Sequence, residues 1–253
     1  MIKITSRKNA LVAFALDLHD KKVRDREGLF FTEGRKLYHE GLVWSGEPTI
    51  IFVTEEYYEK NPDITAEEIY LVTSDVYAKI TDEKSPEGIF AIFRKPEIKA
   101  SRKSSVVLLE GIQDPGNLGT ILRTAVAFGV SEVLTVGCAD VYSPKTVRST
   151  MGAVFKIPTR SFESIDAAVE YARGVSDKII ATALHPDSIP LEETDTSFAT
   201  VMIGSEGRGL SERAIELADE KVIIPMENTE SLNASVAAAL CMYHSMTKRK
   251  GVK

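Results

Sequence analysis

Two kinds of hydrophobic pattern divide the chain. In the first hundred or so residues, helical and extended signals alternate. Ala10 to Asp20 predicts a helix, FFTEGRKLYHEGL (residues 30–42) predicts a second with Glu33 in its first turn, and the apolar stretches Ile50 to Val53, Ile69 to Val72 and Ile89 to Phe93 predict strands. This is the pattern of a small α/β domain. A polar segment with Pro96 and several basic residues, KPEIKASRKSS (residues 95–105), then reads as a linker. Beyond it lie five near-continuous apolar runs, VVLLE from Val106, EVLTVG from Glu132, KIIATAL from Lys178, TVMIGSE from Thr200 and KVIIPM from Lys221. Such runs suit strands buried on both faces of a mostly parallel sheet.

Between these runs the period changes to that of a helix. Leu118, Ile121, Leu122, Ala125 and Val126 fall on one stripe, with Asn117 placed as N-cap and Gly129 just past the end. Ser143 and Pro144 open another helix. Asn233 to Lys250 repeats Val236, Ala237, Leu240, Cys241 and His244 at helical spacing, as a core helix would. The expected organisation is therefore an α/β domain at 1–98, a linker at 99–105 and an α/β domain at 106–253. Ligands are expected at the carboxyl ends of the parallel strands.

Composition narrows the class. At 253 residues, with 43% apolar and 27% charged side chains, the chain is long enough for a real core and unbiased enough to exclude fibrous or disordered types. The longest early apolar run, Ala10 to Leu16, is too short to span a bilayer and lacks a cleavage signal, so no membrane segment or leader is expected. Cys138 and Cys241 stand far apart without metal-ligand spacing, which predicts no metal site, no disulfide and a reducing, cytoplasmic location. A net charge of −6 argues against a nucleic-acid partner, yet residues 1–30 hold seven basic side chains against four acidic ones. A second basic cluster, Lys248, Arg249, Lys250 and Lys253, closes the chain; solubility and the negative end of a helix explain it equally well. The lone Trp44, Phe30 and Phe31, and His19, His39, His185 and His244 show no spacing that marks a site.

Neither a dinucleotide fingerprint, nor a phosphate loop, nor a G-x-S-x-G elbow is present, which removes weight from hydride transfer, phosphoryl transfer and serine hydrolysis. Three loops stand out instead, each directly after a predicted strand: LLEGIQDPGNLGTILRTAVAFGV from Leu108, VMIGSEGRGLSE from Val201 and IIPMENTESLNASVAAAL from Ile223. Asn117, Gly119, Arg123, Phe128 and Gly129 in the first, Gly204, Glu206, Gly207 and Gly209 in the second, and Pro225, Ser231, Leu232 and Asn233 in the third resemble the SpoU (TrmH-like) branch of the SPOUT methyltransferases. The resemblance extends to the amino-terminal region, which is similar to that family's ribosomal-protein L30e-like RNA-binding module.

The resemblance implies transfer of a methyl group from S-adenosylmethionine to a ribose 2′-hydroxyl of structured RNA. It also implies a homodimer formed through the carboxyl-terminal domain, with that domain tied in a trefoil knot, an exception to ordinary topology rules. Carried over by position, Arg123, Asn117, Glu206, Ser231 and Asn233 are the catalytic set, and Gly204, Ile224 and Leu232 lie at the cofactor. Methyl transfer from a sulfonium needs alignment and removal of the hydroxyl proton, and no metal. A guanidinium is a poor base, so Arg123 is expected to orient a phosphate or polarise the hydroxyl, with Glu206 ion-paired to it. Arg7, Lys8, Lys21, Lys22, Arg24, Arg26 and Arg35 are expected to grip RNA. Ribosomal RNA of the 23S type is favoured as substrate; transfer RNA, a turnover-less RNA-binding assembly factor and a small-molecule methyltransferase remain open.

Overall fold

The computed structural model describes residues 2–96, 103–229 and 231–251. Positions 99–102 of the expected linker and Lys253 lie outside these residues. The chain divides into two compact units, Met1–Pro96 with Tyr142–Lys156, and Glu97–Val141 with Ile157–Lys253.

In the first unit the elements run β1 (Ile2–Ile4), α1 (Ala10–Asp17), α2 (Lys21–Glu27), β2 (Leu29–Glu33), α3 (Arg35–Ser45), β3 (Ile50–Thr54), α4 (Glu55–Lys60), β4 (Glu68–Val72), α5 (Ser74–Ile80) and β5 (Ile89–Arg94). The five strands order as β1-β4-β3-β5-β2, with β5 antiparallel to both its neighbours and the remaining pairs parallel. The three expected strands are β3, β4 and β5. Two expectations need correction. The helix expected at Ala10 to Asp20 ends at Asp17, and a separate α2 starts beyond it, where Asp20 accepts from the Lys22 amide at 2.8 Å. Residues 30–33 are strand, since Gly34 at φ +84° turns the chain before α3 begins. Glu33 is consequently the buried last residue of β2, and not part of a first helical turn.

Val12, Ala15 and Leu18 of the α1 segment and Val76, Tyr77 and Ile80 of α5 cover one face of this sheet, over Phe31, Phe52, Phe90 and Ile92. Further aromatic packing joins Phe30 and Phe93 to Tyr142 and Phe155, with ring centroids 5.0 Å apart for Phe30–Tyr142 and 4.9 Å for Phe93–Phe155. The stretch Tyr142–Lys156, far along the chain, thus completes the core of the first unit. It contains the helix Pro144–Thr150, opened by Ser143 as expected.

In the second unit the elements are β6 (Val106–Glu110), α6 (Pro115–Ala127), β7 (Glu132–Val136), β8 (Thr159–Phe162), α8 (Ile165–Val175), β9 (Ile179–Thr182), β10 (Ile189–Pro190), β11 (Thr200–Ile203), α9 (Glu212–Leu217), β12 (Glu220–Ile223) and α10 (Ala234–Lys250), α7 being the helix Pro144–Thr150. All seven strands are parallel, in the order β10-β12-β9-β11-β6-β7-β8. The five apolar runs are the five inner strands; the short β10 and polar β8 at the edges were not expected. Alternate residues Val106, Leu108, Leu134, Ile179, Ala181 and Met202 pack with Ala168, Val169 and Ala172 of α8 and Ala214 of α9. Helix α10 packs against α6 and β11. Ser104 and Ser105, at the end of the expected linker, are buried, and the Ser104 amide donates to the Val175 carbonyl at 2.8 Å.

Candidate active site

A parallel sheet places the ends of all its strands on one edge, so loops distant in sequence meet there. The loops after β6, β11 and β12 do so around one carboxylate. Glu206 Oε1 accepts from Asn117 Nδ2 at 2.5 Å, from Asn233 Nδ2 at 3.2 Å and from the Ala234 amide at 3.3 Å. Asn233 Nδ2 also donates to Asn117 Oδ1 at 3.2 Å, closing a triangle of three side chains. Donors aimed at an ionised acceptor make the stronger class of hydrogen bond, and here they fix the mutual position of three loops. A second tie runs from Ser211, whose amide and hydroxyl both donate to the Glu110 carboxylate at 2.8 Å.

Beside this network is a cavity of about 360 Å³ at the carboxyl ends of β9, β11 and β12. That volume falls in the roughly 300–1,000 Å³ range of small-molecule sites. Ile203, Ile224, Met226 and Leu232 give it apolar walls, while Ser205, Glu206, Arg208 and Ser231 supply its polar groups. Gly204 is at its floor, and a Cβ there would overlap the backbone of Gly209 and Leu210. The tight turn between Ser205 and Gly209, closed by the Gly209 amide on the Ser205 carbonyl at 2.8 Å, therefore requires glycine at 204.

A family model described as the SpoU rRNA methylase family matches residues 104–243, and one described as an MRM3-like substrate binding domain matches residues 9–91. This chain belongs to the SpoU rRNA methylase family. It is 35% identical over 248 residues to the 23S rRNA (guanosine(2553)-2'-O)-methyltransferase RlmP of Bacillus subtilis, covering 96% of this chain and 99% of that one. It is 27% identical over 292 residues to human mitochondrial rRNA methyltransferase 3, covering 90% of this chain and 70% of the relative. Among solved structures, the AdoMet-bound rRNA methyltransferase from Sinorhizobium meliloti superposes with a TM-score of 0.80 at 28% identity, over 99% of this chain and 98% of that one.

Within this SpoU chain, Asn117, Glu206 and Asn233 come together, and Gly204, Ile224, Leu232 and Ser231 all line the one cavity. Asn117 is not the cap of α6. Asp114 holds that position, its Oδ1 accepting from the Asn117 amide at 2.8 Å, which leaves the Asn117 side chain free for Glu206. Asp114 before Pro115 was the legible cap signal. The expected ion pair between Arg123 and Glu206 is absent among the described residues, where the partners of Glu206 are the amide donors on its Oε1. Arg123 is exposed on α6 and is not among the residues that line the cavity. Arg208, which the sequence reading passed over, does line the cavity.

The amino-terminal basic set divides. Arg24 is 2% exposed and donates to the Leu18 carbonyl at 2.6 Å, so it fastens the corner between α1 and α2 and is not available to RNA. Arg7, Lys8, Lys21, Lys22, Arg26 and Arg35 are exposed, with Arg7 near Asp75 at 3.4 Å, Lys21 on Asp25 at 2.7 Å and Arg26 on Glu27 at 2.8 Å. In the carboxyl-terminal cluster, Arg249 donates to the Phe128 carbonyl at 2.7 Å and the Gly129 carbonyl at 3.2 Å, and so closes the end of α6. Burial pushes the Cys138 thiol up and the Cys241 thiol up to about 12, which favours the thiol form of both at neutral pH.

Proposed function

We propose that this protein methylates a ribose 2′-hydroxyl of ribosomal RNA of the large-subunit type, using S-adenosylmethionine. The observation that carries this reading is the meeting of three family loops on Glu206 beside a cavity lined by Gly204, Ile224 and Leu232. These three residues would hold the cofactor. Apolar walls suit its adenine, and the Glu206 carboxylate at the rim suits a cationic sulfonium. When bound, S-adenosylmethionine supplies a methyl group on a positively charged sulfur with a neutral leaving group. The chain supplies alignment and proton handling. Asn117, Glu206 and Asn233 keep the loops in register, Ser231 presents its hydroxyl at the cavity, and Arg123 orients a substrate phosphate and polarises the hydroxyl.

The finer features of the reading follow the family. The carboxyl-terminal unit is a trefoil-knotted SPOUT domain, supported by the return of α10 onto α6 and β11 after β12. The amino-terminal unit is an L30e-like RNA-binding domain that uses Arg7, Lys8, Lys21, Lys22, Arg26 and Arg35. The functional division stays at 99–105, with Tyr142–Lys156 lent to the amino-terminal unit. A homodimer forms through α10, whose Val236, Leu240 and Tyr243 are exposed, and the protein works in the cytoplasm. Among the described residues no helix is long and apolar enough to cross a membrane.

The test is transfer of a labelled methyl group to unmodified ribosomal RNA and, separately, transfer RNA, followed by nucleoside analysis, with Arg123→Ala alongside. A labelled 2′-O-methylnucleoside in ribosomal RNA that disappears in the variant is the expected outcome. Label in transfer RNA alone overturns the substrate class. No label in either, with cofactor binding intact, overturns the enzyme reading.

A further inference from the structure

Helix α3 presents two adjacent rows of side chains spaced four residues apart, Arg35–His39–Val43 and Lys36–Glu40–Trp44. All are exposed except the half-buried Glu40. The two cations stand at the amino-terminal end of the face. Val43, 75% exposed, and Trp44, 57% exposed and the only tryptophan of the chain, stand at the other. The packing of the first unit does not explain this exposure, since its aromatic core is already closed by Phe30, Phe93 and Phe155.

The charges on this face are sorted. Glu40, the only carboxylate in the two rows, is neutralised by Lys156 Nζ at 2.7 Å, and the same ammonium lies over the indole ring, 4.9 Å from its centroid. Such a contact holds the ring in a fixed orientation and leaves its opposite side open. At the start of the helix, Glu87 is engaged as a cap, its Oε2 accepting from the Arg35 amide at 3.0 Å. In a chain of net charge −6, one helix face thus offers two cations at one end and an aromatic plane at the other. At 1.5 Å per residue they lie about 14 Å apart, far enough to touch different nucleotides of one strand.

We infer that this face of α3 docks an unpaired stretch of the RNA substrate, with a base stacked on Trp44 and phosphates met by Arg35 and Lys36. The inference rests on the RNA reading above and adds the contact that distinguishes unpaired from paired RNA. Stacking is tolerant of base identity but needs a base released from its helix, so the site favours loops over duplex.

Because Trp44 is the single tryptophan, its emission reports the contact directly. The full-length protein is titrated with an RNA hairpin carrying an unpaired loop and with a blunt duplex of equal length, while affinity is followed separately by anisotropy of labelled RNA. The hairpin should quench the emission and the duplex should not. Trp44→Ala should weaken hairpin binding roughly 5- to 100-fold, with Trp44→Phe recovering most of the loss. Lys36→Gln should lower the slope of log affinity against log salt by about 0.7. Affinity for S-adenosylhomocysteine should be the same in all variants. Unchanged emission with hairpin bound, equal quenching by duplex, or equal affinity in Trp44→Ala would each overturn the inference, as would a protein occupying this face in place of RNA. A wild type that methylates ribosomal RNA with the KM of Trp44→Ala sinks the contact alone. One that shows the quenching but transfers no methyl group sinks the functional reading and leaves the contact standing.

Discussion

The two sheets are built from different side chains and do different work. The first unit fills its core with rings, Phe30, Phe31, Phe52, Phe90, Phe93 and Tyr38, around a sheet in which β5 runs against its neighbours. The second uses Val, Ile, Leu and Ala around seven parallel strands. In the parallel sheet every strand ends on the same edge, so the loops after β6, β11 and β12 are obliged to meet and a polar network can form across them. In the mixed sheet β5 runs the other way between β3 and β2, so its strand ends are divided between the two edges. What it offers is a helix face, and its polar residues are mainly on the surface. Chemistry is accordingly expected from the second unit and RNA grip from the first, and the two should be separable by substitution.

The largest effect should come from Gly204→Ala. Its Cβ would overlap the Gly209–Leu210 backbone, which cannot move without opening the turn. A loss of about 3 kcal/mol in stability is expected, together with loss of S-adenosylhomocysteine binding in calorimetry. Normal binding by this variant would mean that the turn does not shape the cavity. Next, Asn233→Ala removes the donor to both Glu206 and Asn117 together with the cap of α10, where Asn233 Oδ1 accepts from the Ser235 amide at 2.9 Å. The cap is worth about 1 kcal/mol, whereas methyl transfer should fall about 100-fold, so activity should drop far more than melting temperature.

The complementary break is Gly41→Ala in the first unit, whose Cβ would overlap the rings of Phe93 and Phe155. Overpacking of this kind costs about 1–3 kcal/mol and should weaken RNA binding, while S-adenosylhomocysteine binding, a property of the other unit, stays as in wild type. Reduced cofactor binding here would break the proposed separation.

The smallest effect is in mild acid, where the two units should respond with opposite sign. Burial raises the pKa of Glu33 in the first unit, so the folded state holds its proton more tightly than the unfolded one. Its contribution favours folding below the ordinary value of 4.5 and is lost as pH rises through the folded value. Burial lowers the pKa of His244 in the second unit, whose Nδ1 lies 2.9 Å from Thr196 Oγ1. Stability from that group is present above 6.5 and is lost as pH falls through the folded value. Thermal unfolding between pH 7 and 4, with Glu33→Gln and His244→Gln each flattening one limb, checks both signs.

Much of this was legible in the sequence for a physical reason. Strands buried on both faces leave unbroken apolar runs, so the five inner strands of the second sheet could be read directly, and caps such as Ser143 and Asn233 marked helix starts. Edge strands lack that signature, which is why β8, with Arg160 and Ser161, and the two-residue β10 passed unseen. The boundary at Gly34 was misread because Phe30 to Leu42 fits either period until the glycine's positive φ is known. Partnerships across long sequence separations were the least accessible. Nothing local says that Arg24 turns inward, that Tyr142–Lys156 packs with the first unit, or that Glu206 chooses two asparagines over Arg123. These depend on where loops and segments meet, and that is a property of topology.

The central claim is that the Glu206 network serves chemistry and not only the fold. Single-turnover methyl transfer to unmodified large-subunit ribosomal RNA by Glu206→Gln, at saturating S-adenosylmethionine and with thermal unfolding recorded on the same preparation, tests it most directly. The account predicts a rate lowered about 100-fold with the melting temperature nearly unchanged. A wild-type rate in this variant, or a rate that falls only in step with unfolding, would contradict it.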